Sequence, residues 1–224
     1  MIFVNFKTYK EGAGEKAVEL AGICEKVQKT VKVKIIPVVQ VVDLFRLRQD
    51  FGGQLWVQHL DPYPQGKHTG WINLEAVVEA GASGTILNHS EHRVPPGTVR
   101  QVIKKIRNPK SEIRNFKTLV CCKSSGQAER LAKFKPDFLA YEPPELIGSR
   151  EKSVASEKPK AIASLVKMVP DIPIIVGAGI HSQEDVAISL KMGAKGILVA
   201  TDVVLAKNPK KELEDLARGF NKLI

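Results

Sequence analysis

Cysteine, tryptophan and methionine are scarce in this chain, at three, two and three residues of 224. Cys24 stands alone and Cys121 and Cys122 are adjacent, a pattern with neither the pairing of a disulfide framework nor the spacing of a zinc site. Consecutive positions in a strand face opposite ways, so these two thiols should point to different sides. No apolar run approaches the length of a membrane span. The opening Met1–Phe6 run has no basic leader and is stopped by Lys7, so neither a signal peptide nor a membrane anchor is expected, and the expected location is cytoplasmic. Aromatic residues make up 6% of the chain and are not interleaved with basic stretches, as a groove for single-stranded nucleic acid requires. The formal charge of +10 is spread over helix surfaces. It is read as solvation and as a field suited to a small anionic substrate, not as a nucleic-acid footprint.

Against these absences, 43% of the residues are apolar and 26% charged, enough to bury a sizeable core. Length leaves one large domain or two small ones open, and periodicity decides. Short β-rich runs at Ile2–Phe6, Val33–Val39, Gln54–Gln58, Gly84–Leu87, Lys117–Cys122, Phe138–Tyr141, Pro173–Val176 and Gly196–Val199 alternate with helical patterns. The first helix carries Ala17, Leu20, Ala21, Cys24 and Val27 on one face. Others follow at Val42–Arg48, Asn73–Ala80, along Val99, Val102, Ile103 and Ile106, from Ser125, and at Lys158–Met168 and Gln183–Met192. A closing helix presents Leu213, Leu216, Ala217 and Phe220. Eight near-continuous apolar strands separated by helices predict a parallel sheet with both faces covered, and eight strands close a (β/α)8 barrel. The expectation is therefore α/β, one compact barrel domain over residues 1–224. A doubly wound open sheet is the alternative, but the first strand lacks the glycine-rich dinucleotide fingerprint.

Two loops stand out. His59–Trp71 is long and polar, with Pro62, Pro64, Gly66 and Gly70 as turn formers, and such a loop usually serves function or an interface. Glu142–Ser149 has two prolines that forbid helix and a glycine that allows a tight tip, the composition of a lid with stiff ends.

In a barrel the active site lies at the carboxyl ends of the strands. The polar groups at those exits are Asn5 and Lys7 after the first strand, Asn88 and His89 after the fourth and Glu142 after the sixth. Gly177-Ala178-Gly179 and Ala200-Thr201 follow the last two. A carboxylate, an imidazole and an ammonium around one mouth suit proton transfer beside a carbonyl: Glu142 takes the proton, His89 donates to the developing oxyanion and Lys7 offsets its charge. Small residues after the last two strands let backbone N–H groups approach an anion.

In this order, Asn5-Phe6-Lys7, His89-Ser90-Glu91 and Tyr141-Glu142-Pro143 with Ile147-Gly148 resemble the triosephosphate isomerase family, over essentially the whole chain. The compact length, Val57-Gln58-His59-Leu60-Asp61-Pro62 and Glu142-Pro143-Pro144-Glu145-Leu146-Ile147-Gly148 are most similar to its archaeal branch. The resemblance implies interconversion of dihydroxyacetone phosphate and D-glyceraldehyde 3-phosphate through an enediolate, in glycolysis and gluconeogenesis, with no metal and no organic cofactor. It implies Glu142 as the base, neutral His89 as the electrophile, Lys7 as the electrostatic stabiliser paired at rest with Glu91, and Asn5 on a substrate oxygen. Ile147 and Gly148 would close over the phosphate, with Gly179, Ala200 and Thr201 as its cradle. His68-Thr69-Gly70 matches the segment that reaches into a neighbouring subunit, so a homo-oligomer is implied, a dimer that could pair into a tetramer.

Three departures from that pattern carry expectations of their own. The lid continues as Arg150-Glu151-Lys152-Ser153, in place of a glycine-containing hinge, so closure should differ in rate or shape. Asp202 stands beside the phosphate cradle and should point away from a dianion. His92, an additional imidazole near His89, is read as a surface variation. Another phosphosugar substrate on the same barrel and a basic nucleic-acid-binding protein are the competing functions.

Overall fold

In the computed structural model, which describes residues 1–149 and 151–221, eight parallel strands close into a barrel in chain order. They are β1 (Ile2–Asn5), β2 (Ile35–Val39), β3 (Leu55–Val57), β4 (Ala82–Leu87), β5 (Lys117–Cys122), β6 (Phe138–Tyr141), β7 (Ile174–Val176) and β8 (Gly196–Val199). Closure is made by β8 on β1, with Ile2 opposite Ile197 and Val4 opposite Val199. Around the barrel lie α1 (Gly14–Val31), α2 (Val41–Asp50), α3 (Leu74–Glu79), α4 (Pro96–Ile106), α5 (Ser125–Ala132), α6 (Val154–Glu157), α7 (Pro159–Met168), α8 (Gln183–Lys191), α9 (Thr201–Val204) and α10 (Pro209–Arg218).

Alternation along each strand divides the core in two. Phe3, Ile36, Val38, Trp56, Ile86, Leu119, Cys121, Ala140, Ile175 and Leu198 fill the barrel interior. Their neighbours, among them Ile2, Val4, Val120, Cys122 and Leu139, join the helix stripes in a separate outer cluster. Cys121 and Cys122 accordingly lie in different clusters, as opposite faces require. The interior is a packed plug. Phe3 meets Trp56 edge-on at 4.9 Å, and Phe138 lies 5.8 Å from Phe3. Trp56 fits because β4 offers Gly84 opposite it, where a β-carbon would fall 2.3 Å from the indole.

Three strands, β5, β6 and β8, match the sequence expectation at both ends, and the other element boundaries match it or differ by one or two residues. Lys32, at φ 55°, caps α1 in the left-handed region, so Val33 and Lys34 serve as lead-in and β2 begins at Ile35. A register shift between Leu55 and Trp56 trims β3 to three residues. The expected helix Lys158–Met168 starts at Pro159, with the separate turn of α6 before it. The lid corrects a stronger expectation. Its two prolines do not forbid helix, because Pro144 opens a single 3-10 turn, Pro144–Leu146. At a first helical position the missing N–H would have had no intrahelical acceptor, and the fixed φ of proline is already helical. Ile147 N–H closes that turn on the Pro144 carbonyl at 3.3 Å.

Candidate active site

The alternate, inward-facing positions of the strands lead straight to the mouth. On β6 the inward series Phe138, Ala140 continues to Glu142, and on β1 Phe3 continues to Asn5. One cleft at the carboxyl end of the barrel is lined by Asn5, Lys7, His89, Glu142, Ile147, Gly148, Gly179, Ala200 and Thr201, so every candidate site residue borders the same space.

Glu142 is 4% exposed. Its backbone N–H is held by the Cys122 carbonyl at 2.9 Å. Its Oε1 lies 3.6 Å from His89 Nε2, and its Oε2 is buried without a hydrogen-bond partner. A buried carboxylate oxygen left unpaired is costly, so the barrel holds Glu142 in a pocket that does not fully satisfy it. Gly177 makes room for it, since a β-carbon there would fall 2.8 Å from Glu142 Cγ. Beneath it, burial and then the Glu142 carboxylate push the Cys121 thiol well up, and burial with the same carboxylate pushes Cys122 to about 12. Neither cysteine is a nucleophile at neutral pH.

His89 is fixed by its turn. The Glu91 backbone N–H donates to His89 Nδ1 at 3.3 Å, which makes Nδ1 the acceptor and leaves Nε2 to carry the proton toward Glu142 and the cleft. The preceding Asn88 has φ 59°. Its side chain donates to the Cys121 carbonyl at 2.8 Å and accepts the Val94 N–H, while Arg93 donates to its carbonyl at 2.8 Å. Those bonds hold the left-handed conformation that directs His89 into the mouth.

Lys7 also has a positive φ, 48°. Its N–H donates to Asn5 Oδ1 at 3.0 Å, and Gln58 Nε2 donates to both the Lys7 carbonyl, at 2.9 Å, and Asn5 Oδ1. Its ammonium reaches Glu91 Oε1 at 2.7 Å, the pairing the resemblance implies. Gln58 was not singled out among the strand exits. As a neutral amide it carries no chemical signal alone, yet its position at the end of β3 is the same kind of position that marked Asn5 and Asn88.

The opposite side of the cleft is backbone. Ala178 and Gly179 run consecutively at φ 72° and 73°, turning the chain between β7 and α8. Ala200 precedes α9, whose first-turn N–H groups have no intrahelical acceptor. Tyr9 and Thr201 hydroxyls bond at 3.0 Å, tying the loop after β1 to this turn. Asp202 borders the cleft and also an outer groove with His181 and Glu212; burial and then Asp202 push the Glu212 carboxyl up. His92 is exposed, and its ring meets that of His59 tilted by 34°, with centroids 4.2 Å apart. Of the divergent lid segment, Arg150 lies outside the described residues, whereas Ser153 is buried and caps α6.

Among the described residues no group of histidine, cysteine and acidic side chains is disposed to hold a metal ion, and no helix is long and apolar enough to cross a membrane.

The chain is similar to known proteins over nearly its whole length. The family model described as triosephosphate isomerase matches residues 1–218. The triosephosphate isomerase of Methanothermus fervidus is 40% identical over 220 residues, covering 96% of each chain. That of Saccharolobus solfataricus is 38% identical over 218 residues, covering 96% of this chain and 93% of its own. That of Methanocaldococcus jannaschii is 35% identical over 222 residues, covering 97% and 99%.

Proposed function

Since the chain belongs to the triosephosphate isomerase family, and is thus an isomerase acting between dihydroxyacetone phosphate and D-glyceraldehyde 3-phosphate, we propose that Glu142 is the base that carries the proton between the two substrate carbons. The observation that carries this reading is its buried carboxylate, with one oxygen unpartnered and the other 3.6 Å from His89 Nε2.

In this mechanism Glu142 removes a proton from the carbon beside the carbonyl. The electron pair moves into the new C=C bond and the carbonyl oxygen becomes an enediolate oxygen. His89, neutral and protonated on Nε2, donates to that oxygen. Lys7, already oriented by Asn5 and Gln58, leaves Glu91 in part and offsets the growing charge. Asn5 holds a substrate oxygen. The hydroxyl proton of the neighbouring carbon passes to the enediolate oxygen by way of His89 Nε2, the carbonyl re-forms on that neighbouring carbon, and the same carboxylic acid returns its proton to the carbon that first bore the carbonyl. Backbone N–H groups of Gly179, Ala200 and Thr201 hold the phosphate, and Ile147-Gly148 of the lid close over it and exclude water. Asp202 turns its carboxylate to the outer groove when phosphate is bound. No metal or organic cofactor enters any step.

We also propose that the enzyme works as a homo-oligomer, at least a dimer, in the cytoplasm, within glycolysis and gluconeogenesis. Val42, Phe45 and Trp71 are 79%, 66% and 51% exposed. Val42 lines a cleft that also contains Lys7, His59, Glu91 and His92. A second copy seated there would cover apolar surface and brace the ammonium, and light scattering at assay concentration would show a monomer if this is wrong.

The decisive experiment is a coupled assay on the purified protein with glyceraldehyde 3-phosphate, with Glu142→Gln as control. Turnover by the wild type and its collapse in the variant are expected; full activity in the variant would remove Glu142 from the role.

A further inference from the structure

The lid ends in a segment that the catalytic scheme does not use and that is unusually well tied down. Ser153 is fully buried, at 0% exposure, and Asp185 on the first turn of α8 is 5% exposed. Between them runs a hydrogen bond from the Ser153 hydroxyl to Asp185 Oδ1. The other carboxylate oxygen, Oδ2, accepts the backbone N–H groups of His181, at 3.3 Å, and Ser182, at 3.1 Å, and the Ser182 hydroxyl at 2.7 Å. One carboxylate therefore binds the base of the lid with one oxygen and the end of the β7–α8 loop with the other.

Two backbone features make the junction tighter. Val154 N–H donates to the Ala178 carbonyl at 3.2 Å. Gly179 lies against the lid base so closely that a β-carbon would fall 2.2 Å from the Lys152 carbonyl oxygen. By contrast, the first half of the lid is fastened at its exposed side, where Lys158 pairs with Glu145. Such a surface pair is worth little and yields easily. A buried hydrogen bond to a charged carboxylate is stronger and shorter-ranged.

We propose that Asp185 and Ser153 form a positioning pair that registers the lid's carboxyl-terminal base on the β7–α8 loop, so that lid and phosphate cradle grip the substrate phosphate as one unit. The pair touches no substrate. It acts through Lys152, Ala178 and Gly179, whose backbone it sets. The inference rests on the lid and cradle reading above and assigns to it residues that the reading leaves out.

The chemical consequence is specific. In a loosely gripped enediolate, re-forming the carbonyl pushes the electron pair across the C=C bond and breaks the C–O bond to phosphate. Inorganic phosphate then leaves with that bond's electrons, and the remaining enol becomes methylglyoxal by proton shift. A tight grip suppresses this route because it holds the C–O bond out of alignment with the enediolate π system and excludes water.

The test is a graded series, Ser153→Cys and Ser153→Ala, with the weak thiol donor between hydroxyl and none. Expected for Ser153→Ala is a KM about tenfold higher with kcat within about threefold, since the lost interaction holds substrate and transition state alike. Inorganic phosphate released per isomerisation should rise about tenfold, because a misplacement transmitted from outside the chemistry can cost up to about 10²-fold. Ser153→Cys should fall between. Phosphate release per turnover is a ratio and does not depend on the folded fraction, so a merely structural serine would leave it unchanged. If the alanine variant proves too unstable, the cysteine variant reads the same two quantities. Wild-type KM and wild-type phosphate release in either folded variant would overturn the pair's role. An inactive wild type would instead overturn the isomerase mechanism, so the two failures are separable.

Discussion

The barrel interior has two levels that share the same eight strands and obey opposite rules. The lower level, around Phe3, Trp56 and Phe138, is apolar and closely fitted, with Gly84 shaped to the indole. The upper level, around Asn5, Lys7, His89 and Glu142, is polar, carries left-handed residues at Lys7, Asn88 and Ala178, and leaves a carboxylate oxygen unpaired. The plug supplies stability, although the Trp56 indole N–H buried in it also lacks a hydrogen-bond partner, while the mouth combines an unpaired carboxylate oxygen with left-handed backbone that the surrounding structure must tolerate. Backbone strain of that kind clusters where chemistry is done.

The largest separation of the two levels should come from Glu142→Gln. Loss of the base is expected to cut kcat by about 10² to 10⁴, while the melting midpoint stays level or rises, because a buried unpaired carboxylate oxygen is replaced by a neutral amide. A parallel fall in stability and activity would mean that the mouth also carries structural load. The reverse case is Phe3→Ala in the plug, expected to cost about 3–5 kcal/mol in denaturant titration. Activity per folded molecule should remain near that of the wild type.

A substitution at the boundary sharpens the comparison. Gly177→Ala puts a methyl where Glu142 Cγ lies at 2.8 Å. The carboxylate must move, and a displacement of about an ångström can cost about 10²-fold in turnover. Stability should change far less, since Glu142 packs at the edge of an open cleft. An unchanged kcat would show that the carboxylate is free to relocate and that its fit against Gly177 is incidental.

The two levels were not equally legible. Short, near-continuous apolar runs identify eight strands without saying which side chains face inward, and the chemistry-bearing exits Lys7, His89 and Glu142 follow from barrel geometry. Gln58 escaped because an amide means little until its partners, Asn5 and the Lys7 carbonyl, are placed. The bond between Ser153 and Asp185 joins residues 32 positions apart, and periodicity within single elements contains no record of it. The lid's 3-10 turn was hidden for a local reason: a proline was counted as a helix breaker although at a first position it is tolerated. The register shift that shortens β3 likewise depends on how Leu55 and Trp56 meet Ala82 and Gly84 across the sheet.

The smallest expected effect tests whether proton sensitivity is confined to the upper level. His59, in tilted ring contact with His92 at the rim, has its pKa lowered from the usual 6.5, by burial first and by His92 as well, against the opposing pull of Asp61. A base whose folded value lies below its unfolded one binds fewer protons in the native state. Its stability contribution is therefore full above about pH 6.5 and is lost as pH falls toward the folded value. Denaturant midpoints should decline modestly over that acid range, and His59→Gln, which keeps a donor for Asp61, should flatten the decline. An NMR titration should place the His59 midpoint below 6.5. A midpoint above it, or an acid decline unchanged in His59→Gln, would move the proton-sensitive element elsewhere and weaken the division between a pH-indifferent plug and a titrating mouth.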